Sequence, residues 1–172
     1  MSHRFTRFGC VARLTVNLLA RALLLGGLFT SLAVAEPASL PVKLTKAQIG
    51  GDIFASSLSV ATQEASELGP NRVQDAEVFL SSDRKLDAGM YRSGPSKFTV
   101  SEPYGVDEFM FFLDGHVTLT SADGSVLRVD AGEAVTIPKA WTGLWESSAY
   151  TKIYVIYSPD ALLPVKDERA ND

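Results

Sequence analysis

The feature that most constrains the fold is a succession of short apolar segments, separated by glycine turns, over residues 76–157. Three of these turns, at 114–115, 122–124 and 130–132, contain an aspartate followed closely by a glycine. Glycine tolerates the positive φ that tight hairpins require, and aspartate caps such turns. Many short strands joined by turns of this kind are typical of a β-sandwich or barrel, so the sequence predicts an all-β fold.

We predict strands at 77–80, 88–92, 97–101, 108–113, 116–120, 126–129, 134–137, 143–147 and 152–157. The runs 109–113 and 153–157 are apolar at nearly every position, which suits central strands buried on both faces. Upstream, the segment 59–68 is predicted to be a short helix that ends at Gly69 and Pro70.

Two spacings stand out in the strand-rich region. Glu108 is followed by six residues and Gly115, and Gly132 is followed by five residues and Pro138. These spacings resemble the second half of the first cupin motif and the start of the second. The blocks 79–91, 95–98, 107–115, 131–133, 137–146 and 152–157 are similar to the cupin branch that includes ureidoglycine aminohydrolase and the ethanolamine-utilisation cupin. The resemblance spans roughly 75–158 and implies a cupin fold, which is a double-stranded β-helix or jelly-roll barrel.

The resemblance also implies where a metal site would lie. Cupins take two histidines and a glutamate from the first motif and a third histidine from the second. Counting back from Glu108, one register places Glu102 and Tyr104 in the histidine positions, and another places Ser101 and Pro103 there. We favour the first because residues 102, 104 and 108 would share one face of a regular strand. The position in the second motif falls on Gly143, so none of the three histidines is present.

The first 35 residues resemble a secretory signal. They contain four arginines and no acidic residue, followed by the apolar run 22–35 with alanines at positions 33 and 35. This pattern predicts cleavage after Ala35 and a periplasmic or secreted protein. A membrane-spanning helix needs about 20 apolar residues. Since only 14 residues separate Arg21 from Glu36, we expect no stable membrane anchor.

Removing this segment changes the chemistry that the chain can support. The remainder has 12 Lys and Arg against 20 Asp and Glu, a formal charge of −8, so nucleic acid is excluded as a partner. It has no cysteine, and His116 is its one histidine. These counts exclude disulfides, thiolate sites and imidazole-rich zinc, iron or copper sites. No cofactor is therefore expected. If a metal is held, we expect manganese or another divalent cation on Glu102 and Glu108.

The candidate pocket combines a carboxylate with aromatic side chains near the second motif. Glu108 is the candidate catalytic group, as a general base, with a structural role as the alternative. Lys139 and Lys152 are expected to be solvated charges, and His116 a surface residue. Tyr91 and Tyr154 are further pocket candidates, for which core packing is the stronger interpretation. Core packing is also favoured for Met110 and Phe112. The expected ligand-binding residues are Glu102, Tyr104, Glu108, Met110, Phe112, Trp141 and Trp145.

Three functional hypotheses follow. The first is an exported single-module cupin that binds a small organic ligand without a tightly held metal. The second is a manganese-dependent amidohydrolase or lyase resembling ureidoglycine aminohydrolase. That enzyme resembles a duplicated cupin, whereas this chain has one module. The third is an isomerase of the sugar-epimerase type with His116 as base. We favour the first, which is not an enzyme.

The domain organisation follows from the same segments. We expect a signal peptide at 1–35, an N-terminal arm at 36–75, the cupin barrel at 76–160 and a tail at 161–172. The arm is expected to reach a partner subunit in a homodimer.

Overall fold

The computed structural model describes residues 40–162. The predicted signal peptide and the tail beyond residue 162 lie outside these residues. A short α-helix, α1 (Lys46–Ile49), and a 3-10 helix (Asp52–Ala55) precede the strands. The eight strands are β1 (Ser59–Glu64), β2 (Asn71–Leu80), β3 (Leu86–Ser93), β4 (Ser96–Val100), β5 (Asp107–Ser121), β6 (Val126–Asp130), β7 (Ala134–Ile137) and β8 (Gly143–Tyr157). In residues 40–162 no helix is long and apolar enough to cross a membrane.

The strands form one antiparallel sheet in the order β1-β2-β3-β8-β5-β6, with β4 also paired to β8 and β7 also paired to β5. The two 15-residue strands β5 and β8 pair with each other along most of their length. Each long strand also has different partners at its two ends, so the sheet folds over on itself as in a jelly roll. The prediction of an all-β fold is confirmed.

The long strands correct two predicted breaks. The segment 114–115 is not a hairpin turn, because β5 continues through it with a register shift between Phe112 and Asp114. Gly115 has a φ of 73°, and a Cβ at this position would collide with the carbonyl oxygen of Ala149. Gly115 therefore forms part of a β-bulge, which bends the strand without ending it. The predicted strands 143–147 and 152–157 are likewise joined into β8.

The predicted helix at 59–68 is wrong, since β1 occupies Ser59–Glu64 and pairs with β2 from Ser59↔Ala76 to Glu64↔Asn71. Backbone pairing with a neighbouring strand overrides a weak local preference for helix. The sheet therefore runs without a break across the predicted boundary between residues 75 and 76.

The apolar side chains form cores on both faces of the sheet. The inner cluster consists of Met110, Phe112, Val117, Leu119, Val129, Ile137, Trp145 and Tyr150. On the outer face, Ile53 and Phe54 of the 3-10 helix pack on Ala76 and Met90, so the N-terminal segment covers β2 and β3. Phe109 is 43% exposed, which makes the prediction that 109–113 is buried on both faces wrong at its first residue.

Candidate functional site

A buried ion pair joins the two long strands inside the barrel. The Lys152 Nζ atom lies 2.7 Å from Glu108 Oε1, and the two side chains are only 7% and 4% exposed. Glu108 lies near the start of β5. Lys152 lies in β8, opposite Phe112 of β5. Side chains two residues apart on a strand share a face, so both groups point inward with Met110 and Tyr154.

The ammonium of Lys152 is surrounded by aromatic rings. Its Nζ lies 5.3 Å from the ring centroid of Tyr91, 5.6 Å from that of Trp145 and 5.9 Å from that of Tyr150. It also contacts the Met110 sulfur at 3.0 Å. We call the three rings the aromatic cage. Ring faces attract cations, and this attraction strengthens when water is excluded.

The sequence led us to expect Lys152 to be a solvated charge, and this prediction is wrong. The signal that could have located it is its position within β8, because Tyr150, Lys152, Tyr154 and Ile156 follow one another at intervals of two. A period of two among large side chains indicates one buried face of a strand, and the lysine lies on that face.

Tyr104 links the ion pair to one end of the barrel. Its hydroxyl donates a hydrogen bond of 2.5 Å to Glu108 Oε2. Its ring contacts that of Trp141 edge-on, with centroids 6.2 Å apart, and its backbone N–H donates to the Trp141 carbonyl. The Trp141 indole donates in turn to Ser121 Oγ at 3.1 Å. The segments 101–106 and 138–143 are thereby held together, with the half-buried side chains of Tyr104 and Trp141 between them.

The structure brings together most of the residues predicted for the pocket. Glu108, Met110, Phe112 and Trp145 are buried in the barrel, whereas Tyr104 and Trp141 are half-buried. Glu102 is exposed in the irregular segment between β4 and β5, so the regular strand register that would align it with Glu108 does not hold.

His116, the candidate base of the isomerase hypothesis, lies away from the ion pair. It is half-buried on β5 and contributes to lowering the pKa of the exposed Asp130, after the larger effect of Arg128. Val117, its neighbour, faces the core. The imidazole therefore lies on the outer side of the strand.

Two tyrosines of the aromatic cage are held in their neutral form. Burial raises the pKa of Tyr91 well above its usual 10.0, with smaller contributions from Tyr150 and from Glu64, which is hydrogen-bonded to it. Burial also raises the pKa of Tyr150 well above 10.0, with smaller contributions from Glu64 and Glu108. Both phenols therefore remain protonated near neutral pH. Neither Glu64 nor Tyr150 was predicted from the sequence as part of the site.

Trp145 contributes an unused hydrogen-bond donor. Its ring stacks on the ring of Phe98 with the centroids 5.7 Å apart, and the residue is only 2% exposed. Its Nε1 atom has no hydrogen-bond partner among residues 40–162. An indole nitrogen is a donor only. Because buried polar groups are nearly always hydrogen-bonded, this donor is a candidate for pairing with an acceptor from outside the protein.

Comparison with known proteins gives the family. Residues 80–154 match the model of the EutQ-like cupin domain. Over these residues the barrel matches the EutQ-like cupin family. No curated protein sequence is significantly similar to the chain.

Solved structures also resemble the chain. A DUF861-family protein of unknown function from Pseudomonas syringae pv. tomato has a TM-score of 0.51 at 22% identity, and this similarity supports the fold. The alignment covers 59% of this chain and 46% of that one. The EutQ protein of Clostridium difficile has a TM-score of 0.44 at 24% identity, with 52% and 65% of the two chains covered. This chain therefore spans less than two thirds of each protein.

The barrel residues that the structure describes do not form a conventional metal-binding group. Among residues 40–162, no three His, Cys, Asp or Glu side chains cluster as metal ligands would. Glu108, in the position of the cupin glutamate, already has one oxygen on the Lys152 ammonium and the other on the Tyr104 hydroxyl. The positive charge next to this glutamate thus belongs to the protein.

Proposed function

We propose that this protein is an exported cupin that binds a small organic molecule inside its barrel, next to the Glu108–Lys152 pair, without a resident metal ion. The observation that carries the proposal is the buried ion pair itself. A tethered ammonium next to the carboxylate supplies the positive charge that a metal ion would otherwise bring.

The ion pair opposes the binding of a divalent cation. Both oxygens of Glu108 have donors, so a metal ion would have to displace Lys152, Tyr104 or both. The displaced ammonium would remain nearby and repel the ion, because charges interact strongly where water is excluded. Glu102 is exposed and leaves Glu108 without a second carboxylate ligand from that segment.

The surroundings of the pair suit an organic ligand. Small-molecule sites combine aromatic walls with a few convergent polar groups. The aromatic cage supplies the walls, and Tyr104 and Trp141 form the end through which a ligand would enter. The unpartnered Trp145 indole offers a donor that would orient the ligand.

A metal measurement combined with a ligand screen tests this proposal. Protein purified without chelator is expected to contain far less than one manganese or other divalent ion per chain. In a thermal-shift screen of small organic compounds, hits are expected to lose their effect in Tyr104→Phe and Lys152→Gln. Glu146→Gln is the matched control, because Glu146 lies on the same strand in a partly exposed ion pair with Lys97.

Two results would overturn the proposal. Stoichiometric manganese that is lost in Glu108→Gln would favour the ureidoglycine aminohydrolase-like alternative. A screen in which no hit depends on Tyr104 or Lys152 would place any binding elsewhere. Because Tyr104→Phe keeps the buried ion pair, the test does not depend on the stability of the Lys152 variant.

Export is tested separately. Expression of the full chain in a bacterium with a periplasm is expected to give a periplasmic product whose first residue is Glu36. A cytoplasmic product that retains Met1 would contradict export and leave the ligand proposal unaffected.

A further inference from the structure

The amine of Lys152 has few acceptors for its protons. Its Nζ donates to Glu108 Oε1 at 2.7 Å and to the Met110 sulfur at 3.0 Å. A lysine ammonium has three donors, and a thioether sulfur is only a weak acceptor. The rings of the aromatic cage, with centroids 5.3–5.9 Å from Nζ, attract its charge through their faces. Within residues 40–162, Glu108 is therefore the one strong hydrogen-bond acceptor of this amine.

An iminium ion fits these surroundings better than an ammonium does. When a lysine amine condenses with an aldehyde or ketone, the positive charge stays at Nζ and a single N–H remains. That N–H would keep the contact with Glu108 Oε1. The charge is spread over the C=N bond, and ring faces attract organic cations of this kind. The contacts that hold the Lys152 ammonium would therefore also hold its condensation product.

The partner of Lys152 can also move the protons that the condensation requires. The amine must lose a proton before it attacks a carbonyl carbon, and Glu108 Oε1 lies within hydrogen-bond distance to accept it. The two side chains are only 7% and 4% exposed, and burial favours the transfer because it removes both charges. The Tyr104 hydroxyl donates to the other carboxylate oxygen and so fixes the orientation of Glu108. Glu108 can therefore act first as a base and then as an acid.

An independent feature, the Trp145 indole, supplies a donor for a carbonyl oxygen. Its N–H is buried and has no acceptor among residues 40–162. The ring lies beside the amine, with its centroid 5.6 Å from Lys152 Nζ. A hydrogen bond to a carbonyl oxygen stabilises the negative charge that develops there during nucleophilic attack. One buried cluster therefore combines a nucleophile, a proton acceptor and a donor that would polarise a carbonyl group.

We infer that Lys152 binds a small aldehyde or ketone covalently, as a protonated imine. Glu108 accepts and returns the proton, and Trp145 donates to the carbonyl oxygen before it leaves. This inference rests on the proposed function, and it adds the chemical class of the ligand. It requires no metal ion, because the reacting groups are side chains of the barrel.

The condensation conserves atoms and charge. The Lys152 ammonium passes a proton to Glu108, and the neutral amine attacks the carbonyl carbon, which forms an N–C bond and breaks the π bond of the carbonyl. A proton then moves from nitrogen to oxygen and gives a carbinolamine. Glu108 returns its proton to the hydroxyl, which leaves as water while the nitrogen lone pair forms the C=N bond. One ammonium and one carbonyl compound thus become one iminium ion and one water molecule, without oxidation or reduction.

Reductive trapping tests the inference and locates the modified residue. The native protein is incubated with butanone and sodium cyanoborohydride, which reduces an iminium ion to a stable amine, and each modified lysine is identified by peptide mass spectrometry. Butan-2-ol is the matched probe, because it has the same carbon skeleton without the carbonyl group. Lys97 is the internal reference, since it also forms a Lys–Glu pair, 2.8 Å from Glu146, but is 35% exposed.

We expect butanone to modify Lys152 at least about tenfold faster than Lys97, because a positioned acid–base group accelerates such steps by about 10²–10⁴-fold. Accessibility alone predicts the opposite order, since Lys97 is the more exposed lysine. Butan-2-ol should modify neither. Glu108→Gln should slow the modification of Lys152 at least about tenfold, and Trp145→Phe about fivefold, the usual effect of one hydrogen bond. Glu146→Gln on the outer surface should leave the rate at Lys152 unchanged.

The contrary outcomes separate this inference from the proposed function. If butanone is trapped on surface lysines only, or on no lysine, Lys152 does not bind carbonyl compounds as an imine. If Glu108→Gln and Trp145→Phe react at the native rate, the roles assigned to these side chains are wrong. The comparison of Lys152 with Lys97 uses the native protein, so it holds even if a variant does not fold. The thermal-shift screen decides separately whether the barrel binds a ligand, because its hits need no carbonyl group.

Discussion

Two Lys–Glu pairs, each with one member on β8, have the same chemistry and nearly the same separation between their charged atoms but lie in opposite surroundings. Lys152 and Glu108 are 2.7 Å apart inside the barrel, with side chains 7% and 4% exposed. Lys97 and Glu146 are 2.8 Å apart on the surface, with side chains 35% and 41% exposed. The comparison shows that β8 places one charged partner on each of its faces.

The difference between the two pairs is one of solvation. Water screens the charges of the surface pair, so removing this pair should change the stability of the protein little. The inner pair has lost its water, and its stability depends on additional partners for both groups. Glu108 has the Tyr104 hydroxyl, and Lys152 has the Met110 sulfur and three rings. The inner pair is therefore expected to be sensitive to the loss of either partner.

The largest expected effect is the removal of the inner ammonium. Lys152→Met should lower the free energy of unfolding by about 3–5 kcal/mol, because Glu108 would be left buried without its counter-ion. Lys97→Met makes the same chemical change at the surface and should have a much smaller effect. Urea denaturation of both variants measures the difference. Equal losses would show that burial does not distinguish the pairs.

A smaller effect is expected when both inner charges are removed together. Glu108→Leu combined with Lys152→Met should recover about 2–4 kcal/mol relative to Lys152→Met alone, because no unpaired charge then remains in the core. The four proteins of this double-mutant cycle are compared by urea denaturation. A double variant that is as unstable as the sum of the two single variants would mean that the side chains contribute independently.

The inner region should also differ in its response to alkali. The pKa values of Tyr91 and Tyr150 are raised in the folded state, mainly by burial. Their contribution to stability is complete below pH 10.0, the usual value, and is lost as the pH rises further, since the unfolded chain releases these protons first. Urea denaturation between about pH 9 and 11 should show this loss.

Tyr150→Phe should reduce the slope of stability against pH in this range. Tyr157→Phe, at a half-exposed ring, is the matched control. An unchanged slope in Tyr150→Phe would contradict the conclusion that burial raises the pKa of this tyrosine.

The smallest expected effect concerns salt. The stability difference between the native protein and Lys97→Met should shrink further in about 1 M sodium chloride, where the screening length is about 3 Å. The difference for Lys152→Met should persist, because ions do not enter the barrel interior. If salt reduced both differences equally, the inner pair would be open to solvent.

Much of the fold follows from short-range patterns. The glycine turns and the alternation of apolar residues predict the β-strands because both depend on a few neighbouring residues. The helix predicted at 59–68 and the break predicted at Gly115 are wrong because each depends on a distant partner: β2 recruits Ser59–Glu64 into the sheet, and the backbone of Ala149 approaches Gly115.

The candidate site was only partly predictable for the same reason. Glu108, Tyr104 and Trp145 could be selected from the spacing of two motifs. Lys152 lies 44 residues from Glu108 in the chain, and its inward orientation depends on the pairing of β8 with β5. Glu64 lies on a strand that the sequence did not predict. Glu102 lies in an irregular segment, so counting residues in a strand could not place its side chain.

By itself, the sequence determined the class of fold and the chemistry that is excluded. A chain whose residues after Ala35 contain one histidine and no cysteine cannot build an imidazole-rich or thiolate site, however it folds. Only the tertiary structure decided which charges lose their water. Lys152 and Lys97 are the same residue type, and the register of two long strands buries one beside Glu108 and leaves the other partly exposed beside Glu146. That difference depends on contacts between segments far apart in the chain, which no local pattern contains.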